Sequence, residues 1–389
     1  MKNQKNVYTL KSRKSVAEFF KTFISILLTC LLGVGFGVFS YSVAKPVSDF
    51  IKEDRHTIIA ESSAEESSNV EKVSETQEET VVSNIPKSVH AYTLSDNDLK
   101  STKSLEAALS AEKLKMYNTV AVPLKLKGGK LNYSTKNNVV WYKEILNAGM
   151  TLDYIVSAIE KAGKKPAAYM DVLNDNIYPK VYNEAGYKNE VDGSMWLDDT
   201  EENNGKPWLS PYSDTTKTYI QELSEEIASA GFEYIVAGGI NYPNFTEDDE
   251  RAIGSKVSSN DRRLELVAIA NLMNSAISEN ESTMLLEISA YDYFTEKSEV
   301  YQPIILDPKL TVLDIDASKF YSVFSYVGGQ VDFTGMPISD KILKICDIFK
   351  TSIGQDFIPC IVKEGMSDKQ LQETITALMG AGYQTYIVK

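Results

Sequence analysis

From residue 88 onward, short apolar runs alternate with longer stretches whose apolar residues recur at the helical period. The clearest unit lies between Trp208 and Pro243. Over 214–230, Ile220, Leu223 and Ile227 share one helical face, and Glu222, Glu225 and Glu226 fall largely on the other. Ser213 or Asp214 can cap the first amides, and Gly231 can take the left-handed position past the end. The run 232–237 is short, apolar and aromatic-rich, as a strand buried on both faces should be. Helix, short loop, buried strand and polar turn make half of a βα unit. Such units place chemistry at the carboxyl end of the strand, here 238–241.

The same alternation predicts strands at 89–94, 119–126, 166–172, 232–238, 284–289, 320–327, 357–362 and 385–388. Helices are expected at 105–116, 151–162, 214–230, 261–277 and 338–350. A further helix is opened by Ser367, with capping-box spacing to Gln370. Leu152, Ile155, Val156 and Ile159 mark the buried face of the second. Three helix-to-strand junctions carry the same dipeptide, Ala162-Gly163, Ala230-Gly231 and Ala381-Gly382, with glycine ending the helix. Eight strands alternating with helices over 88–389 predict an α/β fold, a (β/α)8 TIM barrel of the usual size of about 250 residues plus insertions. The other candidate is an open doubly wound sheet. No glycine-rich phosphate loop follows the first strand, which counts against a nucleotide-binding version.

One connection is long. Residues 174–211 separate the third strand from its helix and are rich in Tyr, Trp, Asn, Asp and Gly. Loops this long in compact domains are usually functional. Trp196, Trp208, Tyr178, Tyr182, Tyr187 and Tyr212 offer flat apolar faces beside polar neighbours, which suits sugar rings. The same residues could instead pin the loop to the barrel.

Ahead of the barrel the pattern changes. Residues 1–21 are basic, and the run from Thr22 to Ala44 carries no charge and is long enough to span a bilayer, which takes about 20 residues. Lys2, Lys5, Lys11, Arg13, Lys14 and Lys21 precede it, so the positive-inside rule places residues 1–21 in the cytoplasm and the barrel outside the cell. The expectation is a single-pass signal-anchor helix; a cleaved signal peptide ending at Ser42-Val43-Ala44 is the alternative. Residues 45–87 are Ser, Glu, Thr and Val with few aromatics, an acidic disordered stalk.

The formal net charge of -14 argues against nucleic acid as a partner. Three Cys and two His without zinc-type spacing predict no metal site and no cofactor. Cys346 and Cys360 read as buried small hydrophobes.

The segments WLSPYS, GFEYIVAGGINYP and VAVPLKLKGGKLNY carry a resemblance. Trp208, Pro211 and Tyr212 form a Trp-x-x-Pro-Tyr turn. Gly231-Phe232 and Tyr242-Pro243 flank the fourth strand, and Lys125, Gly129 and Tyr133 mark the second. In these the chain resembles the bacterial "putative glycosyl hydrolase domain" family, a TIM-barrel group distantly like the α-amylase-type glycosidases. Asp175 matches an aspartate of that family after the third strand. The departures fall where chemistry should be. The family's Asp-Tyr-x-Arg before the aromatic-proline pair is Gly238, Gly239, Ile240 and Asn241 here. Pro123 and Leu126 stand at acidic positions of strand two, Tyr169 stands for an arginine on strand three, and Glu287 for an aspartate on strand five.

Glycoside hydrolysis normally uses two carboxylates, about 5–5.5 Å apart for retention and about 6.5–9.5 Å for inversion. The resemblance puts the nucleophile on strand four, where Gly238 has no side chain to attack with. Glu287 is then the candidate acid, with Asp171 and Asp175 the best replacement partners and Asp292 and Glu364 further candidates. Glu287 could equally lie in an internal ion pair, with Lys125 the suggested counter-ion. Trp208, Tyr212, Lys125, Asn241, Tyr242 and Tyr326 are the candidate substrate-binding residues. Three functions remain open. The barrel binds a cell-envelope polysaccharide with lost or weak hydrolysis, or it is a glycosidase with relocated carboxylates, or it is a structural or protein-binding barrel in envelope assembly. No protein partner can be named from the sequence.

Overall fold

The computed structural model describes residues 88–136, 146, 149–254, 257, 262–295, 304–307, 310–326 and 328–389. The expected membrane run at 22–44 and stalk at 45–87 lie outside the described residues, as does Asp261, the expected start of one helix. No helix among the described residues is long and apolar enough to cross a membrane.

Eight parallel strands close on themselves: β1 (His90–Thr93), β2 (Thr119–Lys125), β3 (Lys165–Asp171), β4 (Tyr234–Gly238), β5 (Thr283–Ser289), β6 (Thr311–Ile315), β9 (Ile358–Ile361) and β10 (Tyr386–Val388). β1 pairs with both β2 and β10, so the sheet has no edge and the open-sheet alternative is excluded. β7 (Val323–Tyr326) and β8 (Gly329–Asp332) form a separate antiparallel hairpin. This corrects the expected sixth strand. The run 320–327 is aromatic because Phe320 and Phe324 pack with Phe294 and Phe333, while Val323 lies half exposed. The true sixth strand is the shorter Thr-Val-Leu-Asp-Ile at 311–315. The helix expected at 105–116 is also divided. Thr102–Leu109 is α-helical and Glu112–Met116 is 3-10, because Ala111 between them is extended.

The other helices lie where the periodicity placed them: Leu152–Lys161, Asp214–Ser229, Arg262–Ser278, Ile338–Ile353 and Asp368–Gly380. Ser213 and Ser367 accept the expected amide hydrogen bonds, and Gly163, Gly231 and Gly382 all have positive φ. The buried side chains divide into two layers. Leu152, Ile155, Ile159, Ile220, Leu223 and Ile227 belong to the shell between strands and helices. Val89, Ala91, Val236, Leu285, Val312, Ile358, Cys360 and Ile387 fill the barrel itself.

The long loop after β3 is anchored by one buried ion pair. Pro123 has no N–H to give the ladder, and the β2–β3 register shifts between Pro123 and Lys125. Lys125 is wholly buried. Its ammonium reaches Asp175 Oδ2 at 3.1 Å and donates to the carbonyls of Asp171 (2.9 Å) and Val172 (3.2 Å). Asp175 Oδ1 in turn accepts from the amides of Ile177 and Tyr178. Gly129, at φ +99°, makes this possible, since a Cβ there would lie 2.0 Å from Asp175 Oδ1.

Removing one partner of such a pair strands the other charge in a dry interior. Lys125→Met should therefore cost about 3–5 kcal/mol in urea unfolding at neutral pH. The double variant Lys125→Met/Asp175→Leu should recover more than half of that loss. A single-variant loss under about 1 kcal/mol would show that the pair does not anchor the loop.

Candidate active site

Along a strand, alternate residues share a face. Two positions beyond the barrel-filling residues Val236, Leu285, Val312, Ile358 and Ile387 stand Gly238, Glu287, Asp314, Cys360 and Lys389. These five form the uppermost inward layer, at the carboxyl end of the barrel. Tyr169 and Asp171 join them from β3.

Gly238 leaves a gap in this layer, and Tyr169 fills it. A Cβ at Gly238 would lie 2.4 Å from the Tyr169 hydroxyl and 2.8 Å from Glu287 Oε1. The hydroxyl donates to Glu287 Oε1 at 2.6 Å. The Lys389 ammonium donates to both Glu287 oxygens (2.8 and 3.0 Å) and to the Tyr169 hydroxyl (3.1 Å), and lies 3.7 Å from Asp314 Oδ2. Burial alone would pull the lysine down, but Glu287, Tyr169 and Asp314 together hold its ammonium well above the ordinary range. Burial, reinforced by Glu287, pushes the Tyr169 phenol up.

Two acids beside this network each keep one oxygen without a partner. Asp171 is 9% exposed, and its Oδ1 accepts no hydrogen bond. Desolvation raises its carboxyl to about 6, against the pull of Lys125 and Lys127. Gly239, at φ +67°, lacks the Cβ that would lie 2.4 Å from that oxygen. Asp314 Oδ1 is likewise buried and unpartnered. Although 22% of the Asp314 side chain remains open, desolvation and then Glu287 raise its carboxyl to about 7. Both acids line a cavity of about 240 Å³ at the barrel mouth, with Lys127, Asn241, Glu287, Asp292 and Lys389.

Among the described residues, Glu287, Asp314 and Cys360 are spaced to hold a metal, with ligand atoms within 4.8 Å of one another. Lys389 already supplies a cation to the two carboxylates, and burial pushes the Cys360 thiol far above its ordinary range, which disfavours the thiolate a metal needs.

The expected site residues separate into groups. Glu287, Asp171, Asn241 and Asp292 converge on the mouth. Asp175 and Lys125 do not; they neutralise each other away from the cavity, closed to solvent, and Lys389 takes the place expected for Lys125 beside Glu287. Trp208 and Tyr212 lie along the long loop. The Trp208 indole donates to Asp198, and the Tyr242 hydroxyl lies 3.0 Å from that of Tyr212 while donating to the Arg262 carbonyl. Tyr242 is 1% exposed, which closes it to any ligand. Tyr326 is on the outer hairpin. It lines a larger cavity, about 450 Å³, with Tyr293, Phe294 and the helix residues Lys344, Asp347 and Ile348. That cavity is outside the barrel and holds none of the mouth carboxylates. Asp314 and Lys389 escaped the sequence reading. The signal was there: each stands two residues beyond an apolar strand position, as Glu287 stands beyond Leu285.

The family described as "Putative glycosyl hydrolase domain" matches residues 91–303, more than half of the chain. No curated protein matches the sequence. Among solved structures, the glycoside hydrolase domain of PgaB (BpsB) from Bordetella bronchiseptica superposes with a TM-score of 0.51 at 12% identity, covering 78% of this chain and 94% of that one. A hypothetical protein from Ruminiclostridium thermocellum gives 0.39 at 17% identity, covering 50% and 96%. TtGalA, the α-galactosidase of Thermus thermophilus, in complex with stachyose, gives 0.47 at 8% identity, covering 79% and 61%. At these identities the likeness concerns the fold.

The raised Asp171 carboxyl has a consequence for stability. Its ordinary value is 3.8 and its folded value about 6, so between these the folded chain binds the extra proton. Stability must then fall as pH rises through that window. Asp171→Asn removes the titration. Thermal unfolding should show no gain for the variant near pH 4 and a gain on the order of 2–3 kcal/mol above about pH 7. An equal effect at both pH values would mean that Asp171 titrates normally.

Proposed function

We propose that this chain, which belongs to the putative glycosyl hydrolase domain family, binds a carbohydrate at the mouth of its barrel and hydrolyses it weakly or not at all. One observation carries the reading. Asp171 and Asp314 each hold a buried, unpartnered carboxylate oxygen in one polar cavity. A buried acceptor without a partner is costly, on the order of 1–3 kcal/mol, and sugar hydroxyls are the donors that would satisfy it. At about 240 Å³ the cavity is smaller than the usual drug-sized pocket of about 300–1,000 Å³, so it suits one ring rather than several.

Gly238, Tyr169 and Lys389 support the weak-hydrolysis part of this reading. The strand-four position has no carboxylate, the Tyr169 hydroxyl fills its space, and both Glu287 oxygens are occupied by internal donors. A specific observation keeps the glycosidase reading as second. Oxygens of Asp314 and Glu287 lie within 4.8 Å, and the Asp314 carboxyl holds its proton to about 7, so this pair could serve as relocated acid and nucleophile. The uncharged run from Thr22 to Ala44, behind six basic residues, supports a cell-membrane anchor with the barrel outside. Residues 45–87 would then extend it toward envelope polysaccharide.

The test is retention of the full-length chain on a panel of envelope polysaccharides, with turnover followed in the same samples. Retention without release of reducing ends is expected, and Asp171→Asn should weaken retention about tenfold, the loss of one charge-assisted hydrogen bond. Turnover abolished by both Asp314→Asn and Glu287→Gln would replace the binding reading with the hydrolase. Failure to retain any glycan would leave a structural barrel.

A further inference from the structure

The mouth holds more negative than positive charge. Four carboxylates line it, Asp171, Glu287, Asp292 and Asp314, against two ammonium groups, Lys127 and Lys389. The Lys389 ammonium is committed, since it donates to both oxygens of Glu287 and to Tyr169. Asp314 Oδ2 sees it only at 3.7 Å, and Asp314 Oδ1 and Asp171 Oδ1 accept nothing. Asp171 is more than nine-tenths buried, so water does little to screen it.

A neutral sugar can donate hydroxyls to these oxygens but leaves the charge imbalance unchanged. A ligand bearing a protonated amine supplies donors and the missing positive charge together. Such an ammonium gains most in a desolvated cavity, where Coulomb attraction is several-fold stronger than in water. Resting on the carbohydrate reading above, we propose that the mouth selects sugars carrying a free amino group, with Asp171 and Asp314 as the groups that receive the ammonium.

The groups facing these acids set the pH response. Lys125, Lys127, Glu287 and Tyr169 face Asp171, with the Asn174 backbone donating to it. Glu287, Lys389, Lys319, Asp316 and Cys360 face Asp314. Empty, the two carboxyls hold protons to about 6 and about 7. An amine that arrives already protonated favours their anions, so its binding must expel protons near neutrality and weaken as pH falls.

The experiment is titration calorimetry of the full-length chain with a glucosamine tetrasaccharide and with its fully N-acetylated counterpart. At pH 7.5 the free amine should bind at least tenfold more tightly. Its advantage should shrink about tenfold by pH 5.5, and buffers of different ionisation enthalpy should report proton release at pH 6.5. Asp171→Asn should reduce the preference while still binding the acetylated sugar. The wild-type proton release tests the idea independently if that variant fails to fold. Equal or tighter binding of the acetylated sugar, or amine binding without proton release, overturns the amino-sugar inference and leaves the carbohydrate reading standing. If neither tetrasaccharide binds while another neutral glycan does, the inference alone fails. If no glycan binds at all, both fail.

Discussion

The barrel mouth is organised by the contact among Glu287, Tyr169 and Lys389. It exists because Gly238 contributes no side chain. Any Cβ there would collide with the Tyr169 hydroxyl and crowd Glu287, so the absence of one atom on β4 fixes residues on β3, β5 and the segment after β10. Three strands far apart in sequence are thereby tied at one level of the barrel. The cost of burying Glu287 and Lys389 is offset because the ammonium donates to both oxygens and the phenol donates to one of them. What remains unsatisfied is displaced sideways, onto Asp171 and Asp314.

Outside the mouth cavity a second pair does a different task. Lys125 and Asp175 are closed to solvent and saturated with backbone partners, so they hold the start of the long loop and offer nothing to a ligand. The two lysines look alike in composition, and the positions of their carboxylates separate their roles. Lys125 neutralises an acid that already serves two amides. Lys389 neutralises one of four acids that share an open cavity. A charge network facing a cavity can change partners when a ligand arrives, whereas a sealed one cannot.

Most of the architecture was legible because barrels write it twice, once in helix periodicity and once in buried runs. The glycines after helices at 163, 231 and 382 and the Ser367 cap were read directly, since each rests on local backbone geometry. The sixth strand was not legible by apolar content. The aromatic run 320–327 outscored Thr311–Ile315, yet its rings serve the packing of a surface hairpin. Losing that strand hid Asp314. Lys389 was hidden for a different reason: a lysine after a strand reads as solvent-facing until the register places it two residues beyond Ile387 in the barrel interior. Counter-ion choice was equally beyond the sequence: Lys125 was the lysine expected beside Glu287, yet it pairs with Asp175 and leaves Glu287 to Lys389.

The distinction between binding and cleavage then rests on when charge is needed. Catalysis rewards interactions that strengthen in the transition state, such as a carboxylate facing a developing positive centre. In this barrel the carboxylate best placed for that, Glu287, already has a positive centre of its own in Lys389, present before any substrate enters. The unpartnered oxygens of Asp171 and Asp314 are instead available in the ground state, and groups free in the ground state favour recognition. On the carbohydrate-binding reading proposed above, a scaffold that fills its strand-four position with an internal phenol and pairs its acid with an internal ammonium keeps its unpartnered acceptors, on Asp171 and Asp314, for recognition.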